Sequence, residues 1–407
     1  MSTQLGVARA VGGLLTTLWL AVVARQLSVA QFGEVTLVLS LGSLVSIGTD
    51  LGIPLALSKI ALDHESLDSG AVRRAIGVRM VSGLISGVVL VGLWLNSAPA
   101  DRWWMAGLYS VSVVISPLGG SFLALLRGRA IGVVEAVYNV VSKLALLAVG
   151  IATLAAGWKP SGVIAAFVLV DVVSSLLLPG IAGRRLTMTD EPDPLQRAEL
   201  RLRATLPLAA AGIIGSAYER VDIWLLALMK GSKSVAVYVA AYKFYDTVLL
   251  PAMAIASAAV AAVGSDLAAQ ARPVARRLAL RATAVAAPIA ITVAFSSDFL
   301  LRSAFGNHYA SARTAVAILM VAGLPGAALG AITPIALLCD RARVARLTVV
   351  GLVGNVIANL ALVPSMGVRG AAVPFLITDA ALLAAFWNVL PKESLPVTAP
   401  VAAHPSS

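Results

Sequence analysis

The chain has 407 residues, 59% of them apolar and only 13% charged, with a mean hydropathy of +0.91 and a net charge of +11. An ordinary soluble domain carries roughly 25% charged residues, so the composition excludes that class and predicts a polytopic helical membrane protein. One cysteine, Cys339, excludes an intrachain disulfide and a multi-cysteine metal site, and the histidines at 64, 308 and 404 have no metal-ligand spacing.

Apolar runs predict twelve spans, near 7–25, 33–57, 76–96, 104–126, 133–156, 161–183, 205–229, 236–262, 279–297, 309–337, 345–364 and 368–390, each end set to within about 3 residues. The first run passes directly into the second, which marks it as a span and not a signal peptide. With a cytoplasmic N-terminus, 20 of the 31 Lys and Arg residues fall on the cytoplasmic side and 8 on the outer side, while Lys143, Arg220 and Lys243 lie inside spans. The cytoplasmic set includes Lys59, Arg73, Arg74, Arg79, Arg127 and Arg129; the outer set includes Arg25 and Lys233. That asymmetry satisfies the positive-inside rule, puts both termini in the cytoplasm and accounts for most of the basic charge. No RNA-binding motif or basic–aromatic strand pattern argues for nucleic acid as a partner. The longest polar link, "RRLTMTDEPDPLQRAELRLRA" at 184–204, divides the chain into an N-lobe at 1–183 and a C-lobe at 205–391, each of six spans. Residues 392–407, rich in Pro and Ala, are expected to form a disordered cytoplasmic tail.

The two halves repeat. "ALLRGRA" at 124–130 returns as "ALLCDRA" at 336–342, and "SGVIAAFVLVD", ending at Asp171, is matched by "RGAAVPFLITD", ending at Asp379. An even number of spans per half makes the repeats parallel, and transporters built this way hold their substrate between the halves.

Longer segments resemble one family. "ARQLSVAQFGEV" (24–35), "DLGIPLALSKIA" (50–61), "ERVDIWLLALMKGSKSVAVYVAAYK" (219–243), "FGNHYASA" (305–312) and "GVRGAAVPFLITD" (367–379) are similar, in order and spacing, to motifs of bacterial polysaccharide flippases. The chain thus resembles the Wzx-like oligosaccharide-lipid flippases of the multidrug/oligosaccharidyl-lipid/polysaccharide (MOP) exporter superfamily. Ser28 stands where that family more often has Gly. The resemblance implies an all-α, MATE-like fold: twelve transmembrane helices in two six-helix lobes around a central cavity. It implies residence in the bacterial cytoplasmic membrane and translocation of a lipid-pyrophosphate-linked glycan to the outer leaflet by alternating access. Membrane lipids, a polysaccharide polymerase or a glycosyltransferase are the partners it suggests, with H+ or Na+ as coupling ion.

The interior charges are the candidate site, because each charge at a bilayer centre costs about 3 kcal/mol. At about 100° per residue, Glu219, Arg220 and Asp222 fall within a sector of roughly 160°, so one helix face can carry all three inward. Arg220 and Lys243 both sit roughly 15 Å below the outer surface, and Asp246 shares a face with Lys243. One reading is a salt-bridge network pinning the seventh span to the eighth. The other is that Arg220 or Lys243 meets the pyrophosphate, for which a guanidinium fork is well shaped. Lys143 either pairs with Asp171 or lines the N-lobe wall. Asp171 and Asp379, at equivalent repeat positions, suggest a symmetric structural role. A lone membrane carboxylate is also a proton or sodium site, which stays open for Asp50, Asp171 and Asp379. Arg25 and Lys59 occupy positions that the resemblance assigns to the cavity, although topology alone accounts for Lys59. Arg127 is either a cytoplasmic anchor or a first contact for the entering pyrophosphate. Tyr242, beside Tyr218 and Tyr245, is either packed or a stacking face for sugar.

Three rivals to a flippase remain on sequence grounds. A cation-coupled drug exporter of the same superfamily would favour an acidic or neutral cavity. A membrane enzyme would need a large outer loop or catalytic carboxylates, whereas the outer loops are short and no His, Cys or acidic pair has catalytic spacing. The expectation is therefore no enzyme and no cofactor. The third rival is a non-transporting scaffold in cell-wall assembly.

Overall fold

The computed structural model describes residues 2–97, 102–129, 131–262 and 267–391. The tail expected at 392–407 lies outside them. Where water is absent, backbone N–H and C=O groups must be satisfied within the segment, and apolar stretches of this length do so as helices. In chain order these are α1 (Ser2–Gln26), α2 (Val29–Ser46), α3 (Ile53–Asp63), α4 (Ser69–Ser97), α5 (Trp103–Gly128), α6 (Gly132–Ala155) and α7 (Ser161–Gly183), followed by the short α8 (Pro194–Glu199). The second half holds α9 (Leu202–Lys230), α10 (Ser232–Ala262), α11 (Leu267–Phe295), α12 (Ser297–Ala304), α13 (Arg313–Cys339), α14 (Arg341–Met366) and α15 (Val368–Trp387). Nine segments among the described residues are long and apolar enough to cross a membrane. The other three expected spans lie on α1, α9 and α10, helices of 25, 29 and 31 residues.

The span expected as continuous over 33–57 is broken. After α2 the chain makes a 3-10 turn (Ile47–Thr49), and Leu51 and Gly52 then take positive φ of 47° and 70°. Glycine pays no Cβ penalty in that region, and Pro54 enters the first turn of α3, where no N–H is needed. The chain therefore leaves the span at Asp50, and α3 begins as a separate helix.

Helices of the first half pack mainly on one another, α4 on α5, α5 on α7 and α1 on α6; those of the second half do likewise, α11 on α13, α13 on α15 and α14 on α9. The halves meet where α1 and α2 touch α10, and α2 touches α9. The main apolar core runs through both. A smaller one gathers Leu57, Ile60, Leu67, Ile76, Leu125 and Leu186 around α3.

The polar link between the halves is folded back on the first half. Two residues of it, β2 (Met188–Thr189), pair in parallel with β1 (Leu67–Asp68). Asp68, 1% exposed, accepts hydrogen bonds from the N–H groups of Ala71 and Asp193 and from Arg197 Nε at 2.7 Å. Gln196 caps the same corner, accepting from Asp68 N–H and donating to Ser66 O. Burial alone raises the Asp68 carboxyl, but these donors outweigh it and push its pKa down to about 2. A depressed carboxylate contributes stability that is complete above its unfolded value and is lost as pH falls through the folded one. The docked link should therefore resist pepsin at pH 4 and become cleavable as pH approaches about 2. Asp68→Asn should expose Arg197 to trypsin at neutral pH; equal trypsin resistance in both proteins would remove the carboxylate from the account.

Candidate functional site

The halves close at one end, where the α1–α2 turn meets the α9–α10 turn. A Cβ on Gly33 would lie 1.9 Å from the carbonyl oxygen of Ser232, so only glycine permits this approach. Phe32 packs edge-on against Tyr309 at 5.7 Å and tilted against Phe305 at 6.5 Å. Arg25 Nε donates to Ala304 O at 3.0 Å, and Trp224 Nε1 donates to Ser97 Oγ at 3.2 Å. Ser28, departing from the family's glycine, begins α2 as its N-cap: its hydroxyl accepts from Gln31 N–H while the Gln31 side chain accepts from Ser28 N–H. A buried Glu34 takes Arg102 as its ion-pair partner near this end, a pairing that the sequence reading did not anticipate.

Midway along the bundle lie the charges of α9 and α10. Lys243 Nζ is 2.6 Å from Asp246 Oδ2, an ion pair within one helix. Of the two readings offered by the sequence, the salt-bridge network between the seventh and eighth spans finds no direct ion pair between α9 and α10 among the described residues. Among the described residues, no carboxylate oxygen comes within 4.0 Å of Arg220. Its guanidinium instead lies over the Tyr242 ring, 5.8 Å from the centroid, which links α9 to α10 through a cation–π contact. Tyr242 in turn packs on Tyr238, Tyr245 and Phe375 at 5.4–5.9 Å and is 4% exposed. Its ring is covered, so in this conformation it supports Arg220 and offers no face to a sugar. Glu219, adjacent in sequence, is exposed and feels the charges of Arg220 and Asp246.

Behind this face lies a second layer of acids. Asp222 is fully buried, and among the described residues neither of its carboxylate oxygens has a hydrogen-bond donor at ordinary distance. Nearby Tyr238, close enough to interact electrostatically, gives its hydroxyl proton to Ala371 O at 3.3 Å. Asp379 accepts from Tyr218 at 2.6 Å and Tyr245 at 2.7 Å, and Thr378 and Asn355 extend that network. In the first half, Asp171 accepts from Ser112 and shares a cavity of about 90 Å³ with Lys143, Tyr138 and Asn139. Asp171 and Asp379 thus occupy α7 and α15, each held by hydroxyl donors. Of the two readings of Lys143, a direct pair with Asp171 is not made within 4.0 Å although both line this cavity, and Lys143 has no hydrogen-bond partner among the described residues. It lies near enough to Lys243 for the two charges to interact.

The remaining candidates sit elsewhere. Arg25 belongs to the closed end. Lys59 is exposed and paired at 3.0 Å with Glu199 of α8. Arg127 holds Glu135 with two hydrogen bonds of 2.8 and 2.9 Å, across the α5–α6 turn. Asp50 is half-exposed at the break after α2, 3.1 Å from Arg79 Nη2. Arg79, counted from sequence on the cytoplasmic side, is 4% exposed. Besides Asp50 it donates to Thr49 O, Pro117 O and Ser121 Oγ at 2.6–3.0 Å, tying the break to α4 and α5. Counting charges by the nearer span end cannot find such a residue.

A family model described as "Polysaccharide biosynthesis protein" matches residues 3–263. A search of curated proteins finds no match. Solved structures share the fold. The lipid II flippase MurJ in an inward closed conformation superposes with TM-score 0.67 at 12% identity, covering 94% of this chain and 86% of that one. A mutant of the Vibrio cholerae MATE transporter VcmN gives 0.65 at 13% identity, covering 95% and 94%. An outward-facing multidrug resistance MATE transporter of the MOP superfamily gives 0.60 at 18% identity, again covering 95% and 94%.

Proposed function

Since this multi-pass membrane chain belongs to the polysaccharide biosynthesis protein family and has the MOP-superfamily fold, we propose that it is a flippase for a polyprenyl-pyrophosphate-linked glycan. The glycan moves from the cytoplasmic to the outer leaflet. Residues 1–183 and 205–391 act as two lobes that rock about the site, with both termini in the cytoplasm of a bacterial cell. The closed end is then the outer face. A polymerase or glycosyltransferase takes the product there.

One observation carries this reading. Lys143 and Arg220, one on each half, are interior cations with no carboxylate within 4.0 Å among the described residues. Paired cations would be structure; these two are left for an anionic guest. A pyrophosphate between them would receive charge-assisted hydrogen bonds from both halves at once, and the Arg220 fork would hold two of its oxygens. Lys243, already engaged by Asp246, acts second. The polyprenyl tail stays in lipid throughout.

The test is leaflet exchange of a fluorescent polyprenyl-pyrophosphate sugar in liposomes. Arg220→Gln and Lys143→Gln should each slow exchange about 10- to 100-fold, the loss of one hydrogen-bonded charge. Lys243→Gln should slow it less. Undiminished exchange in both of the first two variants would return those cations to a structural role.

A cation-coupled exporter is the second reading, and buried, donor-free Asp222 favours it. Such an exporter would move a cationic dye against a proton or sodium gradient, with Asp222→Asn inactive and no response to the glycan lipid.

A further inference from the structure

Between the halves, at their closed end, is a cleft of about 600 Å³. Its walls come from both: Arg25, Ser28 and Ala30 from the α1–α2 turn, and Lys233, Gly306 and His308 from the second half. Among the described residues no carboxylate lines it. Arg25 spends only its Nε on Ala304 O, and neither Lys233 nor His308 has a hydrogen-bond or ion-pair partner among the described residues. The N-terminus of α2 also opens here, adding the positive end of an 18-residue helix. Lys233 borders a second pocket of about 300 Å³ that contains Arg369.

Topology does not account for this gathering. On the sidedness proposed above, the outer face holds only 8 of the 31 basic residues. Arg25, Lys233 and Arg369 are three of them, drawn from widely separated segments into two pockets that share Lys233. By contrast Arg302, another of the eight, is neutralised by Asp298 at 2.8 Å. Arg25, Lys233, His308 and Arg369 are exposed, so solvent screens their repulsion, and what marks the cleft is a set of basic side chains lined up without an acid among the described residues, the charge pattern that an anion fits.

We propose that this cleft binds a phosphoryl anion, and that the bound anion fastens the two halves at their outer end. The site is separate from Lys143 and Arg220. It rests on the flippase reading only for the physiological source of the anion, the pyrophosphate of a lipid carrier; a soluble phosphate has the same chemistry.

Ala30→Cys in a Cys339→Ser background places one thiol in the cleft. In purified protein, inorganic pyrophosphate should slow its labelling by a maleimide, whereas chloride at equal ionic strength should not. Lys233→Gln and His308→Gln should each raise the half-protecting concentration about tenfold, and Arg302→Gln should leave it unchanged. A sugar-free polyprenyl pyrophosphate in nanodiscs supplies the lipid arm. Protection by either phosphoryl probe supports the site. If inorganic pyrophosphate alone protects, the anion is soluble and the lipid source fails while the site stands. Equal protection by chloride, or protection unchanged in Lys233→Gln and His308→Gln, overturns the proposal. Labelling of intact cells with an impermeant maleimide separately reads the side: a thiol reached only after permeabilisation would refute the topology without touching the binding result.

Discussion

Gly33→Leu is expected to abolish leaflet exchange and to force the closed end apart. The Gly33 Cα faces the Ser232 backbone so tightly that even a methyl would sit 1.9 Å from the carbonyl oxygen. The neighbour is backbone in a turn between two long helices, and no side-chain rotation can relieve the clash. Overpacking of this kind typically costs about 1–3 kcal/mol, and each 1.4 kcal/mol is tenfold in a two-state population. The clash exists only when the halves touch. The substitution therefore raises the energy of one conformation and leaves the alternative untouched. Spin labels at Ala30 and Asn307, in a Cys339→Ser background, should report a shift from a short to a longer distance. A short distance retained together with normal exchange would mean that α2 and the α9–α10 turn need not meet in the cycle.

Arg79→Met should be the most destabilising single change in the first half. The methionine keeps the aliphatic stem but strands the carbonyl of Thr49, otherwise paired at 3.0 Å, and takes a 2.9 Å donor from Pro117 O, which keeps only Ser121 Oγ at 2.7 Å. It also frees the chain break at Leu51 and Gly52, whose positive φ values are held by what surrounds them. Leaving a buried acceptor without its donor costs about 1–3 kcal/mol. Arg79→Lys should not rescue, since one ammonium cannot reach four acceptors on the break and on α5 in the fixed geometry of a guanidinium. Asp50→Asn should be mild, because that carboxylate is 55% exposed and already meets water. Thermal unfolding in detergent separates these outcomes; a stable Arg79→Met protein would show that packing alone holds the break.

Much of the bundle was legible from hydropathy, because a membrane leaves a chain few alternatives to the long apolar helix. Positions within one helix were legible too: a spacing of three put Lys243 beside Asp246. What the sequence hid was contact across helices. Arg220 stacks on Tyr242 because of the register between α9 and α10, and no pattern along either helix encodes that register. Gly52 and Pro54 marked a weak point, yet the break itself depends on Arg79, 29 residues from its partner Asp50. The strands at 67–68 and 188–189 are two residues each, too short for any periodicity.

The docked link sets the length of the tether between the halves. Lys59 holds Glu199, the last residue of α8, and α9 starts at Leu202, so only Leu200 and Arg201 are left to span the gap. Three virtual bonds reach about 11 Å. Near that corner the second half cannot drift away from the first, however the rest moves. In the proposed rocking of the two halves this corner is the fulcrum, and a mouth beside it would widen at the opposite rim, like a book held at its spine.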